Sequence, residues 1–134
     1  MGSVRVAIVG VGNCASSLVQ GVEYYKDADP HDKVPGLMHV QFGQYHVRDV
    51  EFVAAFDVDS RKVGLPLEKA IFAQPNRTPV FEPDLSAGGL LRASGVEVAM
   101  GPVLDGVAEH MANHPAEESF RIAAAAPVDV TRAL

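Results

Sequence analysis

The segment Arg5-Val6-Ala7-Ile8-Val9-Gly10-Val11-Gly12-Asn13-Cys14-Ala15 constrains this chain more than any other stretch. A short apolar run ends in Gly10, a turn of small residues follows, and Ala15, Leu18, Val19 and Val22 then recur at helical spacing. Strand, glycine turn and helix in this order form the first half of a dinucleotide-binding unit. Gly10-x-Gly12-x-x-Ala15 fits its fingerprint, with alanine in the last place. Gly10 allows a tight turn that a Cβ would hinder. Gly12 lets the backbone approach a pyrophosphate, and Ala15 lets the helix pack closely on the strand. The helix N-terminus presents free N–H groups and a partial positive charge to phosphates. Asn13 is placed to cap that helix or to face a ligand. The bland alternative is a tight turn that merely closes a βα unit.

An acid at the end of the second strand is the usual companion of such a turn. Val50 to Val58 reads as that strand, with Asp57 and then Asp59 at its end. There a carboxylate accepts hydrogen bonds from the adenosine ribose hydroxyls and repels a 2′-phosphate, favouring NAD over NADP. Asp57 follows Gly10 by 47 residues, against the usual spacing of about 20. An insertion from Lys26 to Asp49 ahead of the strand accounts for the difference. Asp57 and Asp59 as plain strand-end turn residues are the alternative.

The remaining elements read as an α/β chain with a mostly parallel sheet. Val4 to Val9 is apolar enough to be buried on both faces. The first helix runs from about Asn13 to about Tyr25, weakened at Gly21 by roughly 1 kcal/mol relative to alanine. Within the insertion, Leu37 to Phe42 is a short strand or an ordered loop. His31, His39 and His46 match no metal-ligand spacing, so they read as solvated or packed histidines, and no metal site is assigned. Pro66 suits the first turn of a second helix, with Leu67, Ala70 and Ile71 on its apolar face. Gln74 to Gly89 is loop-like, and Val96 to Met100 is a third strand. Leu104, Val107, Ala108 and Met111 mark a further helix face, and Asn113 to Ser119 is a turn region. Ile122 to Ala126 is bland. Pro127 opens a last helix with Val130, Ala133 and Leu134 on one side. A parallel sheet needs its crossover helix to lead into another strand, so the chain reads as cut short.

Composition excludes several classes of function. A net charge of −6 over 134 residues offers no basic footprint for nucleic acid or an anionic membrane. A single cysteine leaves no intrachain disulfide framework and points to a reducing compartment. No signal-peptide pattern and no membrane-length apolar run is read, so a cytoplasmic location is expected.

At Gly10-Val11-Gly12-Asn13-Cys14-Ala15-Ser16-Ser17-Leu18-Val19-Gln20-Gly21 the sequence resembles the myo-inositol-1-phosphate synthase (inositol-3-phosphate synthase) family of the actinobacterial kind. The resemblance continues through Val34-Pro35-Gly36-Leu37-Met38-His39-Val40, Tyr45-His46-Val47-Arg48-Asp49-Val50, and Phe52-Val53-Ala54-Ala55-Phe56-Asp57-Val58-Asp59. Lys62-Val63-Gly64 and Ala70-Ile71-Phe72-Ala73 extend it, and it becomes patchy from residue 74.

The resemblance implies NAD contacts from Gly10, Val11, Gly12, Asn13, Cys14, Ala15 and Asp57. It implies conversion of glucose 6-phosphate to an inositol monophosphate by oxidation, aldol closure and reduction with one NAD. It also implies a Rossmann-like domain completed by distant chain, and a tetramer built on a second domain. On this reading residues 1–134 are a truncated NAD-binding domain lacking the catalytic domain, expected to be inactive alone and to associate with itself or a complementary chain. No catalytic residue is carried over, because the family's catalytic lysines fall outside this chain. Cys14, within the phosphate-binding turn, reads as packing under the cofactor and not as a nucleophile. A non-catalytic NAD-binding or oligomerising paralogue, an interaction protein with a decayed nucleotide site, and a generic NAD-dependent dehydrogenase fragment are the other readings.

Overall fold

The structure is a computed structural model that describes residues 2–82 and 94–134. Strand β1 (Val4–Val9) leads through the glycine turn into helix α1 (Asn13–Tyr24). A small antiparallel hairpin, β2 (Gln41–Phe42) and β3 (Tyr45–His46), precedes strand β4 (Val50–Asp57). A single helical turn α2 (Leu67–Ala70), strand β5 (Val98–Met100) and a second single turn α3 (Val130–Ala133) complete the regular elements among the described residues.

The main sheet has the order β1-β4-β5 and is parallel throughout. Parallel pairing requires crossovers, and α1 and α2 lie on those connections. The register of β1 against β4 slips between Val6 and Ala7: Val6 pairs with Phe52, but Ala7 pairs with Ala54. One core serves the sheet and both crossovers. Ile8, Phe52, Ala55, Val96 and Val98 of the strand segments meet Val11, Ala15 and Val19 from the start of α1 and Leu67, Ala70 and Ile71 around α2. Burying a side chain the size of Leu67 or Ile71 contributes about 1.5–3 kcal/mol, so the short α2 is held by packing and not by its own helical bonds.

Several elements differ from expectation. β1 is buried on one face only: Ile8 is in the core, while Ala7 is exposed and Val9 is 80% exposed. Its second edge pairs with nothing among the described residues. The apolar run gives the same pattern whether one face or both are covered, so sequence could not separate the two. The helix expected at Leu104 to Met111 shrinks to a 3-10 turn at Glu109–Met111, and Leu104 is 86% exposed. A stripe of apolar residues makes a helix only where a partner surface exists to bury it. Pro127 does not open α3; Asp129 caps it, its side chain accepting the Arg132 N–H at 3.3 Å. The expected loop is irregular from Pro75 to Glu82, and its part from 83 to 89 lies outside the described residues.

The insertion is fastened to the far end of the sheet. His46 is buried, its Nε2–H donates to the Ala28 carbonyl at 2.8 Å, and its Nδ1 accepts the Arg48 N–H at 3.0 Å. His46 and Asp49 together make a reciprocal cap ahead of β4. Gly36 has φ +90°, and a Cβ there would lie 2.3 Å from the Tyr25 hydroxyl, so this turn accepts no side chain. The insertion thus joins the C-terminus of α1 to the start of β4, at the end of the sheet opposite the glycine turn.

Candidate functional site

The candidate site forms where β1 and β4 end and α1 begins. Gly10 has φ +92°, a left-handed conformation that glycine adopts without steric cost. Its N–H donates to the Phe56 carbonyl at 2.8 Å, so the turn stays attached to β4. Val11 is fully buried. Its N–H donates to Asp57 Oδ2 at 2.7 Å. Its carbonyl accepts Lys62 Nζ at 2.7 Å and Asn76 Nδ2 at 3.1 Å.

Gly12 is the N-cap of α1, in extended conformation, and its carbonyl accepts the Ser16 N–H at 3.0 Å. A Cβ built on Gly12 meets nothing within 4 Å, so the space beside it is open. Among the described residues the N–H groups of Gly12, Asn13 and Cys14 meet no acceptor. Free N–H groups at the positive end of a twelve-residue helix, beside an open glycine, have the chemistry that holds a phosphate. Ala15 is buried against the core, as close helix packing requires.

Asn13 does not cap α1. Its Oδ1 accepts the N–H groups of Arg77 and Thr78 at 2.7 and 3.1 Å, and its carbonyl accepts the Thr78 hydroxyl at 3.0 Å. Two helical turns further on, buried Gln20 accepts the N–H groups of Phe81 and Glu82 through Oε1 and donates to the Pro79 carbonyl. Two side chains of α1 therefore hold the segment 77–82 along the helix. Cys14 is exposed on the first turn of α1.

Asp57 ends β4 half-buried. Besides the Val11 N–H at Oδ2, its Oδ1 accepts the N–H groups of Val58 and Asp59 at 2.7 and 2.8 Å. A carboxylate has about four acceptor positions, and three are used, so Oδ2 retains one for a hydroxyl. Asp59, by contrast, is fully buried within a structural cluster. Its two oxygens accept the Arg61 guanidinium and the N–H groups of Arg61 and Arg121. Burial would raise its pKa, but the bonds from Arg61 and Arg121 outweigh it and hold the carboxyl below the usual range. Through this cluster and the backbone pairs Ser60 to Arg121 and Ala123 to Val58, residues 121–123 run beside the end of β4. Ile122 and Ala123, from a stretch bland in sequence, thus lie beside the end of β4.

Lys62 and Asn76 are the site residues that sequence reasoning missed. Lys62 is 3% exposed. Burial lowers its pKa, partly offset by the charges of Asp57 and Asp59. Its sequence signal is only membership of the motif Lys62-Val63-Gly64, because its main-chain partner lies 51 positions away. Among the described residues no group of three or more His, Cys, Asp or Glu is arranged to hold a metal ion, and no helix is long and apolar enough to cross a membrane.

No protein-family model matches the chain. Comparison with curated proteins finds 53% identity over 133 residues to inositol-3-phosphate synthase of Mycolicibacterium smegmatis, covering 99% of this chain and 33% of that protein. Over nearly its whole length the chain is similar to actinobacterial proteins named inositol-3-phosphate synthase. It spans about a third of the length of the curated relatives it matches. Among solved structures it resembles Ari2, with a TM-score of 0.63 and 37% identity over 75% of this chain and 29% of that one. A myo-inositol-1-phosphate synthase-related protein from Thermotoga maritima shares the fold, with a TM-score of 0.53 and 21% identity over 90% of this chain and 26% of that one. The similarity to the synthase runs through the glycine turn, the insertion and the end of β4, and so includes every element of the candidate site.

Proposed function

We propose that this chain is the NAD-binding part of an inositol-phosphate synthase. The observation that carries the reading is the meeting, at one end of a parallel sheet, of an open glycine turn with free N–H groups and a strand-end carboxylate. Gly10, Val11, Gly12, Asn13, Cys14 and Ala15 form the pyrophosphate cradle. The N–H groups of Gly12, Asn13 and Cys14 face the phosphates, and Asp57 Oδ2 accepts one hydroxyl of the adenosine ribose. The negative charge of Asp57 disfavours a 2′-phosphate, which selects NAD over NADP.

Bound NAD supplies a hydride acceptor for oxidation of a sugar phosphate, and in the complete synthase the substrate is glucose 6-phosphate. This chain's part is to bind and orient. No lysine here is assigned to aldol chemistry, and the chain spans about a third of the length of the relatives. The edge of β1 that pairs with nothing among the described residues, with Val9 exposed at its end, supports completion of the sheet by further chain, from the same protein or from another subunit.

Calorimetric titration of the chain with NAD, with NADP as control, tests the reading. Saturable binding that favours NAD is the expected result. Absence of NAD binding, or a preference for NADP, overturns it.

A further inference from the structure

Lys62 has no part in the fingerprint, yet it lies beneath it. Its ammonium donates to the Val11 carbonyl and to Asn76 Oδ1, each at 2.7 Å, and Asn76 Nδ2 donates to the same Val11 carbonyl at 3.1 Å and to that of Ile71 at 2.9 Å. Two side chains from beyond β4 therefore converge on one oxygen of the glycine turn. Burying an ammonium is costly, and an apolar side chain of similar volume would fill the space without that cost. A lysine here is explained by what it holds.

What it holds is a peptide plane. The Val11–Gly12 peptide is planar and trans, so its C=O and N–H point in opposite directions. Drawing the carbonyl inward onto Lys62 and Asn76 turns the Gly12 N–H outward, where it meets no acceptor among the described residues. A donor on the carbonyl also polarises the peptide and strengthens its N–H as a donor. The preceding peptide is held from its other side, by Asp57 on the Val11 N–H.

We propose that Lys62 is a positioning residue of the dinucleotide site: with Asn76 it clamps the Val11 carbonyl and so aims the Gly12 N–H at the pyrophosphate. The proposal rests on the reading of the turn as an NAD site. Lys62 touches no cofactor atom; it acts through the Val11–Gly12 peptide.

The test is NAD titration of the parent, Lys62→Met, Asn76→Ala and the double variant, each followed by the NMR signals of the Val11 carbonyl carbon and the Gly12 amide. Lys62→Met is expected to keep its circular dichroism, to move both signals, and to bind NAD about tenfold more weakly, the scale of one lost charge-assisted hydrogen bond. Asn76→Ala acts in the same direction with a smaller loss. The double variant loses less than the sum of the two, because both act on one oxygen. The preference for NAD over NADP stays unchanged, since Asp57 is untouched. A folded Lys62→Met that binds NAD as tightly as the parent overturns the clamp. If Lys62→Met fails to fold, Asn76→Ala decides: moved signals with unchanged affinity overturn it equally. A parent chain without saturable NAD binding overturns the dinucleotide reading, and the clamp falls with it.

Discussion

The carboxylate of Asp57 accepts the backbone N–H of Val11 at 2.7 Å across 46 positions of sequence. The strand-end acid and the glycine turn are therefore one unit: the carboxylate proposed to receive a ribose hydroxyl also holds the glycine turn. Changing Asp57 acts on both. Asp57→Ala is expected to weaken NAD binding about tenfold or more, through loss of charge-assisted bonds, and to reduce the preference over NADP. Asp57→Asn keeps one acceptor oxygen for the turn while removing the charge, so it should retain more NAD affinity and still lose discrimination. Titration of both variants with both nucleotides checks this; unchanged affinity and preference in Asp57→Ala would remove Asp57 from the ribose site.

Gly12 faces open space, so a larger side chain there disturbs the ligand and not the protein. Gly12→Val is expected to fold with the parent's helix content by circular dichroism. Because its side chain occupies the room a pyrophosphate needs, NAD affinity should fall by about tenfold at least, as backbone bonds to charged oxygens are lost. A folded Gly12→Val with parental affinity would sink the assigned phosphate turn.

Gln20 holds the segment 77–82 through three hydrogen bonds from a fully buried position. Gln20→Ala leaves the N–H groups of Phe81 and Glu82 without this acceptor. It is expected to destabilise the fold by about 1–3 kcal/mol and to speed hydrogen exchange at those two amides. Parental exchange rates at Phe81 and Glu82 would show that the segment is held by other means.

Asp59 makes stability depend on acid. Its folded pKa lies below the unfolded value, because Arg61 and Arg121 favour the charged form more than burial disfavours it. The unfolded state therefore binds the proton first as pH falls. The stabilisation is complete above about pH 5 and is lost as pH drops through the folded pKa. Melting temperatures across this range should show a steeper acid limb in the parent than in Asp59→Asn. The variant should also be less stable at neutral pH, having lost the charge that pairs with Arg61. Parallel acid limbs would place the acid sensitivity elsewhere.

Much of the architecture was legible because it depends on short-range chemistry. β1, the start of α1 and the end of β4 fall where apolar runs, glycine and helical spacing place them. Helix formation failed as an expectation at Leu104 to Met111, where the stripe is intact but Leu104 stays exposed. The burial of β1 failed for a related reason: Val9 and Ile8 are equally apolar, and only the arrangement of neighbouring elements leaves one of them bare.

At the site, Gly10, Gly12, Ala15 and Asp57 could be named from sequence because turn geometry, close packing and strand-end position each demand a residue type. The sequence by itself thus determined the turn, its helix and the acid that serves them. The tertiary structure alone decided that Asn13 holds Arg77 and Thr78 instead of capping its helix, that Asp59 turns into the Arg61 cluster while Asp57 faces the turn, and that Lys62 and Asn76 meet at the Val11 carbonyl. These are hydrogen bonds between groups far apart along the chain. Such a bond depends on where the backbone brings its two ends, and no local spacing records that.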